Sequence, residues 1–159
     1  MLPEALPHKR IERPGTETRL GWLSLLRGNR ADRAVATCPT GLVIDIVRAF
    51  GAVSGDHCEF FVIAGRDAAE RYIAWDYGDG ETFSEQLRRF RLLVASRGGA
   101  LAVAPELAGW ILTFEIGPQH EPASSSRVRR AIRSGGPWLH MVPPEIRDDV
   151  RHAYGETRR

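Results

Sequence analysis

Four acidic side chains crowd two glycines in the stretch YIAWDYGDGETFSE, residues 72–85, where grouped carboxylates can bind a metal or move a proton. The four are Asp76, Asp79, Glu81 and Glu85. A calcium loop needs oxygen ligands at alternate positions over about twelve residues, which this spacing does not provide. Asp-Gly is a turn signal, and the segment from Thr82 to Glu85 matches the capping box that begins a helix. The stretch therefore predicts a turn and no metal site, and it leaves only Asp76 as a candidate binding residue.

Cys38 is the candidate nucleophile of the chain. It precedes a proline in CPTG, at the predicted start of a helix, where thiolates are stabilised and their pKa falls. The motif lacks the second cysteine of a redox loop, so His57, His120 or His140 would have to approach through the fold to act as the base. A thiol-dependent enzyme and an unreactive cysteine are the two alternatives. Cys58 falls on the apolar side of a predicted strand, which predicts a core position.

The segment SSSRVRRAIRSGG predicts a short basic helix over residues 126–133. Its candidate binding residues are Arg127, Arg129, Arg130 and Arg133. Arginines on one helix can hold a phosphate backbone, which gives affinity without reading the base sequence. Trp138 follows closely and is a candidate for stacking on a base. The alternative is a solvated helix face whose Val128 and Ile132 pack on the core.

The sequence contains no other motif that carries chemistry. It has no histidine pair at ligand spacing, no C-x-x-C, no G-x-S-x-G and no phosphate-binding P-loop. We therefore expect no metal and no cofactor. The sequence leaves open whether the chain is an enzyme: the lack of a catalytic motif favours a non-catalytic protein, and Cys38 is the one candidate catalytic residue.

The charge of the chain is modest but unevenly distributed. Of its 22 basic residues only Lys9 is a lysine, which reflects either a GC-rich genome or an arginine surface for phosphate or carboxylate. Residues 1–37 and 119–159 each carry a net charge of +3 and the segment between them carries −4, which gives the total of +2. The basic ends either dock on the acidic middle or reach for an acidic partner.

Length and composition predict one globular domain. The chain has 159 residues, of which 43% are apolar and 26% charged, and no apolar run is long enough for a membrane span. Its first residues lack the apolar region of a signal peptide, so a cytoplasmic location is predicted. Residues 1–16 are rich in proline and charge and predict a flexible arm, and residues 17–159 predict a single α+β domain.

Apolar spacing gives the elements that would position these residues. The predicted helices cover 18–27, 42–50, 84–96 and 126–133, with a last helix that opens at 143–144. The predicted strands cover 57–65, 71–78, 100–104 and 109–117, with a short one at 33–37. Short connections between neighbouring strands predict hairpins. The expected fold is one sheet of about four mostly antiparallel strands with helices packed on one face.

Three functions are consistent with the sequence. The first is a small, non-catalytic, bacterial-type cytoplasmic protein that binds or regulates another macromolecule, with a protein partner expected. The second is nucleic-acid binding through the basic terminal segments. The third is a thiol-dependent enzyme centred on Cys38. No membrane partner is expected, and the oligomeric state is open.

Overall fold

The computed structural model describes residues 2–3, 14–55, 58–78, 80–96, 99, 101–120 and 123–155. The helices are α1 (Thr16–Arg27), α2 (Val43–Ser54), α3 (Arg66–Ala74), α4 (Phe83–Gln86), α5 (Ser125–Ser134) and α6 (Arg147–Gly155). The strands are β1 (Leu2–Pro3), β2 (Thr37–Cys38), β3 (Phe61–Gly65), β4 (Arg91–Ser96) and β5 (Ile111–Glu115). Short 3₁₀ turns cover 105–107, 118–120, 139–141 and 144–146.

The chain divides into two compact units. Unit 1 combines Met1–Leu42 with Pro122–Arg159, and unit 2 is the continuous segment Val43–Glu121. The single domain over residues 17–159 stays a prediction. So does the flexible arm, because residues 1 and 4–13 lie outside the described residues.

Unit 2 contains a parallel sheet in the order β3-β4-β5. The chain is built of helices and strands as the α+β prediction states, but the antiparallel sheet of about four strands is wrong. Parallel neighbours need a long crossover, and the connection from β3 to β4 supplies one with α3 and α4. Among the described residues, neither 33–36 nor 101–104 forms the strand that was predicted there.

Two misassigned segments explain the wrong sheet. Residues 71–78 were predicted as a strand because apolar residues alternate there, yet α3 runs through this segment to Ala74. Helix α3 begins directly after Gly65 in a segment rich in good helix formers. In this helix Ala69 is completely buried against the sheet. Residues 84–96 were predicted as a helix, but α4 ends after one turn and the chain continues as β4.

The core of unit 2 lies on one face of the sheet. The residues that point to this inner face include Ala64, Leu92, Val94 and Ile111, all of them buried. Side chains from α2, α3 and α4 cover them: Val43, Val47, Ala69 and Phe83 belong to the same cluster. The opposite face, here called the outer face, consists of Phe61, Ile63, Gly65, Arg91, Leu93, Ala95, Leu112 and Phe114.

Unit 1 is a small helical assembly with its own core. Val128 of α5 and Val150 of α6 are buried with residues of the connecting segment, and Trp22 and Leu26 of α1 pack against them. The three helices predicted for these regions are confirmed, with the last one beginning as a 3₁₀ turn at 144–146. None of the described helices has the combined length and apolar character that crossing a bilayer requires.

Candidate functional site

The basic face of α5 is the candidate site in unit 1. The helix begins where the hydroxyl of Ser124 accepts a hydrogen bond from the backbone N–H of Arg127 at 3.2 Å, and it ends at Gly135 with a left-handed φ of 69°. Val128 anchors the helix in the core. The opposite side lines an open recess of about 420 Å³. Its lining residues are Ser126, Arg129, Arg130, Arg133 and Ser134.

The structure thus brings three of the four predicted arginines together. Within the described residues, no carboxylate forms an ion pair with Arg129, Arg130 or Arg133. Arg129 is held in place, because it donates to the hydroxyl of Ser126 at 3.3 Å and lies 5.9 Å from the ring centroid of Tyr154. The recess therefore presents guanidinium groups that no carboxylate of the described residues neutralises.

The net charge of unit 1 also favours an anionic ligand. Unit 1 contains fifteen basic and eight acidic residues, a net charge of +7, and unit 2 contains seven basic and twelve acidic residues, a net charge of −5. These two values give the total of +2. Guanidinium groups match phosphate oxygens in planar, bidentate geometry, and the hydroxyl of Ser126, which accepts from Arg129, can donate its proton to the same oxygens. The recess is chemically suited to a phosphate group.

Two other residues predicted for this site lie elsewhere. Arg127 belongs to α5 but is not among the residues that line the recess. Trp138 is in the core of unit 1, where its side chain is only 9% exposed and the guanidinium of Arg151 lies 5.8 Å from its ring centroid. The indole therefore offers little surface on which a base could stack.

Sequence reasoning missed the neighbours that shape the recess. Ser126 and Ser134 stand four residues before and after Arg130, so a helical projection of the segment places them on its side. Their spacing was a usable signal. The contact of Arg129 with Tyr154 of α6 had no such signal, because it depends on how two helices pack.

A larger recess in unit 1, of about 790 Å³, lies beside α1 and α6. Its lining is mostly small and apolar, with Gly21, Trp22 and Leu25 from α1 and with Asp149 and His152 from α6. It contains none of the predicted site residues. Size alone does not make it the better candidate, because Asp149 and His152 do not concentrate one sign of charge as the three arginines of α5 do.

Cys38 is buried rather than presented to a substrate. Its side chain is 3% exposed, and its Sγ lies 3.7 Å from the hydroxyl of Thr40. The helix predicted to begin beside it begins at Val43 instead, so the predicted position at a helix N-terminus is wrong. His57 lies outside the described residues. The thiol-enzyme alternative receives no support from this geometry.

Cys58 was predicted to lie in the core, and this is wrong. Its side chain is exposed because β3 begins only at Phe61, so residue 58 precedes the strand whose alternation placed it inside. Its thiol lies 3.8 Å from the carbonyl of Ser54.

The acidic stretch 72–85 has structural roles throughout its described part. Asp76 accepts a hydrogen bond from the backbone N–H of Gly78 at 2.8 Å, which supports a turn in which Gly78 has a φ of 59°. Glu81 forms ion pairs with Arg89 at 2.7 Å and with Arg48 at 3.2 Å. The hydrogen bond from Arg89 is the main cause that holds the pKa of Glu81 below its usual range. Asp79 lies outside the described residues.

The predicted capping box at the start of α4 is confirmed. The backbone N–H of Glu85 donates to the hydroxyl of Thr82, and the carboxylate of Glu85 accepts from the backbone N–H of Thr82 at 2.8 Å. The hydrogen bonds from Thr82 lower the pKa of Glu85 from its ordinary value of 4.5. The carboxylate of Glu85 is therefore part of the helix cap.

Alanine at position 82 is expected to lower the free energy of unfolding by about 1 kcal/mol at neutral pH, because it removes the side-chain cap of α4. The bond to Glu85 stabilises the folded state above the ordinary pKa of 4.5 and is lost as the pH falls through the lower folded-state pKa, so the difference should narrow in acid. Urea denaturation at several pH values measures both effects. Serine at position 82 keeps the hydroxyl, and an equal loss in Thr82→Ser contradicts the assignment.

Among the described residues, no three His, Cys, Asp or Glu side chains are grouped closely enough to hold a metal ion. Sequence comparison gives no relative from which a site could be transferred. No protein-family model and no curated protein sequence matches the chain.

Proposed function

We propose that the chain binds a phosphate-bearing ligand in the recess of α5, with nucleic acid as the form of that ligand predicted from the sequence. One observation carries the proposal: Arg129, Arg130 and Arg133 share a recess with two serine hydroxyls and have no carboxylate partner among the described residues. An unneutralised cluster of this kind attracts polyanions.

Electrostatic contacts of this kind depend strongly on salt. Each phosphate that a protein neutralises lowers the logarithm of the binding constant by about 0.7–0.9 per tenfold rise in salt concentration. Contacts by Arg129, Arg130 and Arg133 should therefore give a total slope of roughly −2 to −3. Because the contacts go to phosphates and not to base edges, the affinity should vary little with base sequence.

Removing Arg130 and Arg133 together is expected to weaken binding at least 100-fold, since hydrogen bonds to charged groups contribute about 1.5–3 kcal/mol each and two of them contribute about 3–6 kcal/mol. Fluorescence anisotropy at low salt measures the affinity for a labelled single-stranded oligonucleotide. Competition with a nucleoside triphosphate and with inorganic phosphate shows whether the ligand is a polymer, a nucleotide or the bare anion.

The matched control is Arg30→Ala combined with Arg33→Ala, which removes the same charge from the same unit. These side chains do not line the recess: Arg30 pairs with Asp32 at 2.8 Å, and Arg33 donates to the carbonyl of Leu26. An equal loss in the control would mean that net charge, and not the recess, binds the ligand. Failure of all three probes to bind at low salt would remove the proposed function.

A protein partner is the second candidate function, and it is favoured by the outer face of the sheet in unit 2. Ile63 of that face is 70% exposed, and Phe61, Leu112 and Phe114 are each more than 40% exposed. An apolar surface of this kind is typical of a protein contact. The regulatory role and the cytoplasmic location predicted from the sequence remain proposals that go with it.

A further inference from the structure

The outer face is unusual for a parallel sheet. Parallel sheets are normally covered on both faces, and here α2, α3 and α4 cover only the inner one. Strands β3 and β4 keep mostly apolar residues on both sides, as strands buried on both faces do. The sequence of unit 2 is therefore suited to a second layer on the outer face.

The outer face forms rows across the three strands. In the middle row, Ile63, Leu93 and Leu112 are register partners, so this row is apolar from edge to edge. In the next row, Gly65 and Ala95 lie beside Phe114. The small side chains at Gly65 and Ala95 leave a depression in the outer face, and the exposed ring of Phe114 projects beside it. Such a surface can pair with a copy of itself turned about a two-fold axis, each Phe114 entering the depression of the other copy.

The charged group on this surface is already neutralised. Arg91, the register partner of Phe61, pairs with Glu59 at 3.0 Å and lies 5.9 Å from the ring centroid of Phe61. Two copies can therefore meet at this end of the face without burying an unpaired arginine. In a two-fold pair the same Arg91 and Glu59 can also exchange partners between copies, which makes the rim self-complementary.

The outer face is large enough to form the apolar centre of an interface between two copies. Its exposed apolar side chains present on the order of 500 Å², so two faces remove roughly 1,000 Å² from water. A stable interface buries about 1,200–2,000 Å² in total, including its polar rim. The apolar centre of such an interface is therefore present on the chain itself.

We propose that the occupant of the outer face is a second copy of this chain, which pairs through the same face to form a two-fold homodimer. This rests on the second candidate function, protein binding, and names its partner. The pairing covers Ile63 and Phe114 of both copies and gives each sheet its second layer.

Sedimentation velocity of the full chain from about 1 to 100 μM tests the pairing. We expect wild type to dimerise and Ile63→Asp to weaken the dimer at least tenfold, because the substitution places a charge at the centre of the contact. Leu112→Lys is a second variant on the same row and keeps the test usable if Ile63→Asp does not fold. Val53→Asp is the matched control, because Val53 is 87% exposed on α2 of the same unit and lies off the outer face.

A dimer lost in the outer-face variants and kept in Val53→Asp supports the proposal. A wild-type chain that is monomeric at 100 μM overturns it, as does a dimer that survives both outer-face variants. If the monomeric wild type captures another protein and Ile63→Asp does not, the homodimer is wrong while protein binding by the outer face stands. If the monomeric wild type captures no other protein, both the homodimer and protein binding by the outer face are wrong.

Discussion

Alanine at position 92 is expected to lower the free energy of unfolding by about 2–5 kcal/mol, because it leaves a cavity at the centre of the inner face. Leu92 is fully buried in the middle strand, where its register partners are Val62 and Ile111. The helical layer on that face is held by the packing of several elements, so it can close only part of the cavity. Urea denaturation of wild type and variant measures the difference.

Leu93 supplies the matched control for this prediction. It follows Leu92 in the same strand and points to the outer face, where it is half-buried. Leu93→Ala should cost clearly less when the protein is dilute enough to be monomeric. Equal losses in the two variants would contradict the assignment of an inner, packed face and an outer, uncovered one.

Alanine at position 138 is expected to lower the free energy of unfolding by about 3–5 kcal/mol, because it removes the largest side chain from the core of unit 1. Trp138 packs there with Val128 of α5 and Val150 of α6. The same substitution should weaken phosphate binding only as far as it unfolds unit 1, since the indole does not line the recess.

Leu139→Ala is the control for Trp138→Ala, because Leu139 is the next residue and its side chain is exposed. It should leave stability nearly unchanged. Thermal unfolding and ligand titration on the same samples separate a structural role of Trp138 in the core from a role in stacking on the ligand. Lost affinity with an unchanged melting temperature would restore Trp138 as a stacking residue and contradict its structural role.

The helices of unit 1 could be predicted because their local signals agree. In α5 the apolar positions follow the helical period, Ser124 caps the start, and Gly135 ends the helix in the left-handed region. In unit 2 the local signals conflict. Leu87, Phe90 and Val94 fall at helical spacing, yet only Val94 lies in a strand, and Leu87 and Phe90 lie in the connection between α4 and β4. Short apolar runs do not distinguish these cases.

The candidate site was predictable to the extent that it lies on one helix. The arginines of α5 share a face whenever α5 forms, so their grouping follows from spacing. Burial of Cys38 and Trp138 does not follow from spacing, because it depends on segments distant in sequence. The parallel order of the strands was beyond reach for a related reason: it requires that α3 be recognised as the crossover between β3 and β4.

The division of the chain also sets the order in which it can fold during synthesis. Unit 2 is one continuous segment, so its sheet and helices can assemble as soon as residue 121 has left the ribosome. Unit 1 joins residues from both ends, and the contact of Trp22 with Tyr154 spans more than a hundred positions of the sequence. Nascent chains usually complete their N-terminal part first. Here the N-terminal segment of unit 1 can complete its core only after residues 123–155 have been made, whereas unit 2 can assemble without them.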